Sequence, residues 1–205
     1  MSRTVGILIY NEVEVLDFAG PFEVFSTVSR LWNRQYPEDQ PPFKVLAIAP
    51  NATTVRARGN FQVLPHHTLD DHPSIEVLIV PGGDVTHVIQ QTSVIQWIAD
   101  QHTRTEITAS VCTGAFLLAQ ADVISNHPVT THWEDIVDLH TRFPNLNVQE
   151  NVRWVEDGKI LTSAGISAGI DMSLHLVERL LSRDWAEKTA HQMDYRWWRS
   201  PTDDG

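Results

Sequence analysis

The chain has 205 residues, 42% hydrophobic and 20% charged, a balance that fits one domain (1–205) with a core large enough to need no disulfide or metal staple. Its net charge of −11, with 15 scattered lysines and arginines, excludes a general nucleic-acid surface. No apolar run approaches membrane-spanning length and the first one is too short for a signal-peptide core, so a cytoplasmic protein with neither nucleic acid nor membrane as partner is expected.

Val5–Tyr10 is a near-continuous apolar run, as in a strand buried on both faces. Phe22–Asn33 follows with helical spacing, Phe22, Phe25, Val28, Leu31 and Trp32 sharing a face, and Pro21 suits the first helical turn. Gln35–Pro42 holds three prolines and reads as a loop. Lys44–Ala49 is a second strand. Glu76–Val80 is another and stops at Pro81-Gly82-Gly83, a sharp turn. Val94–His102 is helical, Glu106–Val111 the next strand, and Gly114–Ala121 and Trp133–Phe143 further helices. Val152–Val155 and Lys159–Ser163 flank Asp157-Gly158, a β-hairpin signal. Ile166–Leu181 and Trp185–Met193 close the chain as helices, with Trp185, Trp197 and Trp198 expected to pack there or at an interface and Trp32 on the first helix. Strands alternating with helices argue for an α/β fold: a mostly parallel sheet with helices on both faces and a small antiparallel hairpin.

The sharpest chemical signal is Thr108-Ala-Ser-Val-Cys-Thr-Gly-Ala-Phe-Leu-Leu-Ala119. A strand runs into small residues and then a helix, with Cys112, the single cysteine, at the corner. Such a turn presents a side chain at the carboxyl edge of the sheet, where ligands of open α/β sheets bind. The unpaired N–H groups of a helix N-terminus favour a thiolate. Gly114 is expected to leave the sulfur open to approach, and the Thr113 N–H to stabilise charge on a substrate. Taken alone, the pattern fits a buried structural cysteine equally well. Two more turns should open on the same edge. One carries Asp17, expected in the loop after the first strand, where a helix-capping role is the plainer alternative. The other is Pro81-Gly82-Gly83-Asp84, whose glycines let backbone N–H groups approach a ligand.

In this order, with Thr130-Thr131-His132, these motifs resemble the ThiJ/PfpI superfamily, relatives of the class I glutamine amidotransferases, over nearly the whole chain. Asp17-Phe-Ala-Gly-Pro-Phe-Glu-Val-Phe25, Val111-Cys-Thr-Gly-Ala115, Thr131-His-Trp133 and Thr162-Ser-Ala-Gly-Ile-Ser-Ala-Gly-Ile-Asp171 place it nearest the isonitrile hydratase branch. The resemblance implies a flavodoxin-like core, a homodimer, a small-molecule substrate, no cofactor, and a cysteine nucleophile that converts an isonitrile to an N-substituted formamide. Cys112 would attack the terminal carbon, Asp17 would give and then recover a proton, and Thr113 would position water or the acid. Gly82, Gly83, Gly114, His132 and Ile166 would border the substrate.

Protease-like and deglycase-like branches usually carry Glu where this chain has Asp17, and the protease-like branch places His directly after the cysteine, where this chain has Thr113. The alternatives are another cysteine enzyme (hydrolase, deglycase or glyoxalase type) and a non-enzymatic ligand-binding or redox-sensing module. The latter would be like the sensor domains of AraC-type regulators, which continue into a helix-turn-helix domain; none is expected before Gly205. His132 reads as a structural hydrogen-bonding residue rather than a base. The ten histidines show no ligand spacing, and His66, His67 and His72 fall in a loop-like stretch, so no metal is expected.

Overall fold

The computed structural model describes residues 2–202. Its elements run β1 (Arg3–Leu8), α1 (Val15–Gln35), β2 (Phe43–Ala49), β3 (Val55–Ala57), β4 (Phe61–Val63), β5 (His67–Thr68), β6 (Val77–Val80), α2 (Thr92–Arg104), β7 (Ile107–Val111), α3 (Gly114–Gln120), β8 (Pro128–Val129), α4 (Ile136–Arg142), β9 (Asn147–Val148), β10 (Trp154–Asp157), β11 (Ile160–Ser163), α5 (Ala168–Leu180) and α6 (Arg183–Gln192). Seven strands form one sheet in the order β10-β11-β7-β6-β1-β2-β5. Every neighbouring pair is parallel except β10 with β11.

The all-apolar β6 and the buried stretch Val5–Leu8 of β1 sit at the centre of the sheet, as double-sided burial demands. Side-chain alternation along β7 shows helices on both faces. Val111 points to α5, where a Cβ on Gly169 would lie 2.8 Å from it. Thr108 points the other way, its hydroxyl 3.0 Å from His102 of α2. α1, α5 and α6 pack together on one side, with the Trp32 and Trp185 rings 5.1 Å apart. The buried apolar residues form one contiguous cluster.

The long parallel strands follow the order β2-β1-β6-β7-β11, the doubly wound flavodoxin-like arrangement. In that topology the connections diverge between β1 and β6, which opens a crevice at the strands' carboxyl ends. The segments after β1, β6 and β7 all end there.

One expected position changes. Asp17 is not in a loop: α1 begins at Val15, where the Glu14 side chain accepts the Val15 N–H at 3.1 Å, so Asp17 lies in the first helical turn. Pro21 is therefore inside the helix, where it has no N–H to offer the Asp17 carbonyl. The hairpin β3–β4, the edge strand β5 and the strand β9 also form where no strands were expected, while β8 is the short strand expected before His132. His67 falls in β5, and the His66 ring accepts the Ala47 N–H at 2.9 Å.

Candidate functional site

Cys112 occupies the corner between β7 and α3 with φ of +55°, a conformation that costs a side-chain-bearing residue free energy and recurs at functional turns. The corner is pinned on three sides. The Cys112 N–H donates to the Ser163 carbonyl of β11 at 3.1 Å, and the Thr131 hydroxyl donates to the Cys112 carbonyl at 2.8 Å. The Thr113 hydroxyl is held on the backbone of Gly83, accepting its N–H and donating to its carbonyl, both at 2.9 Å. It ties the cysteine turn to the glycine turn.

The three turns do meet. Asp17 is fully buried, and its Oδ2 accepts the Gly82 N–H at 3.0 Å. Among the described residues its Oδ1 has no partner with full hydrogen-bond geometry, but the Cys112 thiol is near enough to favour the ionised carboxyl. The turn bearing Gly82 is itself anchored from below, since the buried Tyr10 hydroxyl donates to the Pro81 carbonyl at 2.9 Å.

Electrostatics couple the sulfur and the carboxyl. Burial pushes the Asp17 carboxyl up to about 7, against the pull of the Gly82 N–H. Burial also pushes the Cys112 thiol up to about 12, with the Asp17 charge adding to the rise. The N–H groups of Thr113 and Ile166 favour the thiolate but are outweighed. The helix N-terminus thus does not by itself make a resting thiolate; burial and the like charge of Asp17 win. Across the neutral and alkaline range the pair holds one proton between two acidic groups.

The sulfur opens on a cavity of about 190 Å³ lined by Gly83, Thr113, His132 and Ile166, and by Glu14, Arg58, Glu134 and Asp135. Ile166 sits at φ +44° and turns its N–H to the sulfur, a role beyond the bordering position expected of it. His132 borders the cavity with Nδ1 accepting the Glu134 N–H at 3.3 Å. It is the N-cap of the turn Trp133–Asp135, in keeping with a structural role.

Two glycines stand elsewhere than expected. A Cβ on Gly114 would lie 2.1 Å from the Val80 carbonyl oxygen, so Gly114 lets α3 close on β6 rather than clearing a path to the sulfur. Gly82 is committed to Asp17, and a Cβ there would lie 2.5 Å from both the N and Oγ1 of Thr113. Gly82→Ala is expected to cost about 1–3 kcal/mol, because backbone rather than a flexible side chain must yield; chemical denaturation measures it.

The residues missed from sequence are Glu14, Arg58, Glu134 and Asp135. Arg58 comes from the loop between β3 and β4, where Gly59 and Asn60 have φ of +67° and +61°. A Gly-Asn pair between short alternating runs is a hairpin signal and was the available clue. That loop is bound to the Asp17 segment through the Arg58 N–H on the Val13 carbonyl, at 3.0 Å.

A flavodoxin-like sheet with a left-handed cysteine corner at its carboxyl edge, facing a buried carboxyl, defines a class of α/β protein built around one buried sulfur–carboxyl pair. The chain belongs to the DJ-1/PfpI family, whose model matches residues 3–179, as the motif resemblance implied. It is 29% identical to the isonitrile hydratase of Pseudomonas putida over 95% of this chain and 79% of that one. It is 26% identical to the HTH-type transcriptional regulator GlxA of Rhizobium meliloti over 92% of this chain and 56% of that protein, and so spans about half the regulator's length. A ThiJ/PfpI family protein from Pseudomonas syringae superposes with a TM-score of 0.84 at 24% identity, covering all of this chain and 79% of the other. The family thus includes both enzymes and regulators, and no helix among the described residues is long and apolar enough to cross a membrane.

Proposed function

We propose that this chain is an isonitrile hydratase-like enzyme that adds water to R–N≡C and releases an N-substituted formamide. The observation that carries the reading is the Cys112–Asp17 pair, which holds a nucleophile and one mobile proton at the same point. The terminal carbon of an isonitrile requires both. The carboxylate takes the thiol proton, the sulfur bonds to the carbon, and the proton passes from Asp17 to that same carbon, giving the thioimidate R–N=CH–S–Cys112. Asp17, ionised again, draws a proton from a water that attacks the carbon. Asp17 passes that proton to the nitrogen, giving the tetrahedral adduct R–NH–CH(OH)–S–Cys112; as the adduct collapses the C–S bond breaks, the hydroxyl proton passes through Asp17 to the sulfur, and R–NH–CHO leaves with the thiol restored. The N–H groups of Thr113 and Ile166 steady the sulfur while it carries charge, and the Thr113 hydroxyl, committed to Gly83, acts as a tie. The identity to a named isonitrile hydratase supports this reading.

The regulator relatives favour a second reading, a ligand-binding module without catalysis. That reading leaves the left-handed Cys112 and the buried, half-ionised Asp17, both costly to folding, without a use.

Chromatographic assay of formamide release from a panel of small isonitriles tests the proposal. Below pH 7 both groups hold protons and the thiol has no base; above it the carboxylate is free to take the thiol proton. The expected kcat/KM therefore rises with pH through about 7 and levels off above. No formamide from any member of the panel would remove the proposed activity.

A further inference from the structure

We propose that the Cys112 cavity selects positively charged substrates, so that, on the hydratase reading above, the preferred isonitrile carries an ammonium group on a short chain. The argument starts from the charges around the sulfur. Glu14, Glu134 and Asp135 line the cavity against one guanidinium, Arg58. Arg58 lies 3.3 Å from Glu14 and offsets that carboxylate. Glu134 and Asp135 have only His132 within ion-pair reach, at 3.8 and 3.5 Å, and neither is paired with a lysine or arginine among the described residues. Nδ1 of His132 is already engaged, accepting the Glu134 N–H at 3.3 Å. The lining thus carries three carboxylates against one guanidinium, with Asp135 near enough to the sulfur to oppose its ionisation.

Two further observations agree. Half-burial pushes the Asp135 carboxyl above its ordinary range, and the like charges of Asp138 and Glu134 push it further against the pull of His132 and Arg58. A cation placed there relieves that repulsion. The Asp135 charge also reaches Cys112 itself and disfavours the thiolate, so a substrate cation beside Asp135 would weaken that opposition as the sulfur reacts. The cavity is small, about 190 Å³, and Ile166 is the main apolar side chain on its wall. Little here rewards a bulky hydrocarbon group. The net charge of −11 on the whole chain acts in the same direction at longer range.

The test separates the charge of the cavity from the reaction performed in it. Cys112 is the single thiol, so labelling by methanethiosulfonates, which transfer an alkylthio group to sulfur and release methanesulfinate, reads one site. Trimethylammonioethyl and sulfonatoethyl reagents are compared, each rate divided by that with free cysteine. The cationic reagent is expected to be favoured roughly tenfold or more at low salt, the preference shrinking as ionic strength rises. The double substitution Glu134→Gln, Asp135→Asn is expected to remove most of it. Equal normalised rates, or a faster anionic reagent, overturn the inference. Turnover is then compared for dimethylaminoethyl isonitrile, butyl isonitrile and isocyanoacetate, with expected kcat/KM in that order. Formamide from none of the three, with cation-preferring labelling, overturns the hydratase reading and leaves the cavity's preference standing. Formamide formed best from isocyanoacetate overturns the preference and leaves the hydratase reading standing.

Discussion

Replacing Cys112 by serine is expected to reduce formamide production to background, a loss of about 10⁴-fold or more, with the fold intact. The reason is proton affinity. Asp17, with a carboxyl that titrates at about 7, can share the proton of a buried thiol held up near 12. A serine hydroxyl is a far weaker acid, and the same carboxylate cannot free its oxygen. The substitution changes one atom, keeps the backbone hydrogen bonds to Ser163 and Thr131, and adds no volume at the φ +55° corner. Thermal unfolding near the wild-type Tm with turnover abolished is the expected pair of results. Retained turnover would show that the sulfur is not the nucleophile.

Asp17→Asn is expected to have the second largest effect, and to act on two quantities in opposite directions. Turnover falls by about 10²–10⁴-fold, the usual contribution of a positioned acid–base group, and the rise of kcat/KM through pH 7 disappears. Stability follows linkage. The carboxyl titrates at about 7 in the folded chain and at 3.8 in its unperturbed state. Between those values the folded state keeps a proton that the unfolded chain has released, so wild-type stability falls as pH rises from about 4 to about 7. A rise of about three pKa units at about 1.4 kcal/mol each corresponds to about 4 kcal/mol across the window. Asparagine can still accept the Gly82 N–H through its carbonyl oxygen, and it lacks this slope. Other titrating groups are common to both proteins and cancel in the difference. Denaturation at a series of pH values should show the variant gaining on the wild type as pH rises; parallel curves would mean that the carboxyl ionises in the fold without penalty.

Much of this site was legible in the sequence because its pieces are local. The Val111-Cys112-Thr113-Gly114 corner is written as an apolar strand, small residues and an apolar helix, and the structure has β7, the left-handed Cys112 and α3 in that order. The convergence of three turns follows from parallel strands sharing one carboxyl edge. What sequence reasoning missed depends on partners distant in the chain. Pro21 reads as the start of a helix, since proline disrupts helix interiors, but the Glu14 cap begins α1 a full turn and a half earlier and places Asp17 on a rigid helix. Gly114 and Gly82 look like open approaches to a ligand; the first is there for Val80 and Pro81, the second for Thr113 and Asp17. The charges at the cavity mouth were hidden for a similar reason. Arg58 reaches it from a hairpin too short for periodicity to reveal, and Glu134 and Asp135 look like an ordinary acidic first turn until His132 caps it toward the sulfur.

The most direct test is intact-protein and peptide mass spectrometry after brief mixing with a small isonitrile. The account predicts a transient mass increase equal to one isonitrile molecule, located on Cys112, that decays as formamide accumulates. Formamide released with Cys112 unmodified throughout, or an adduct on another residue, would contradict it.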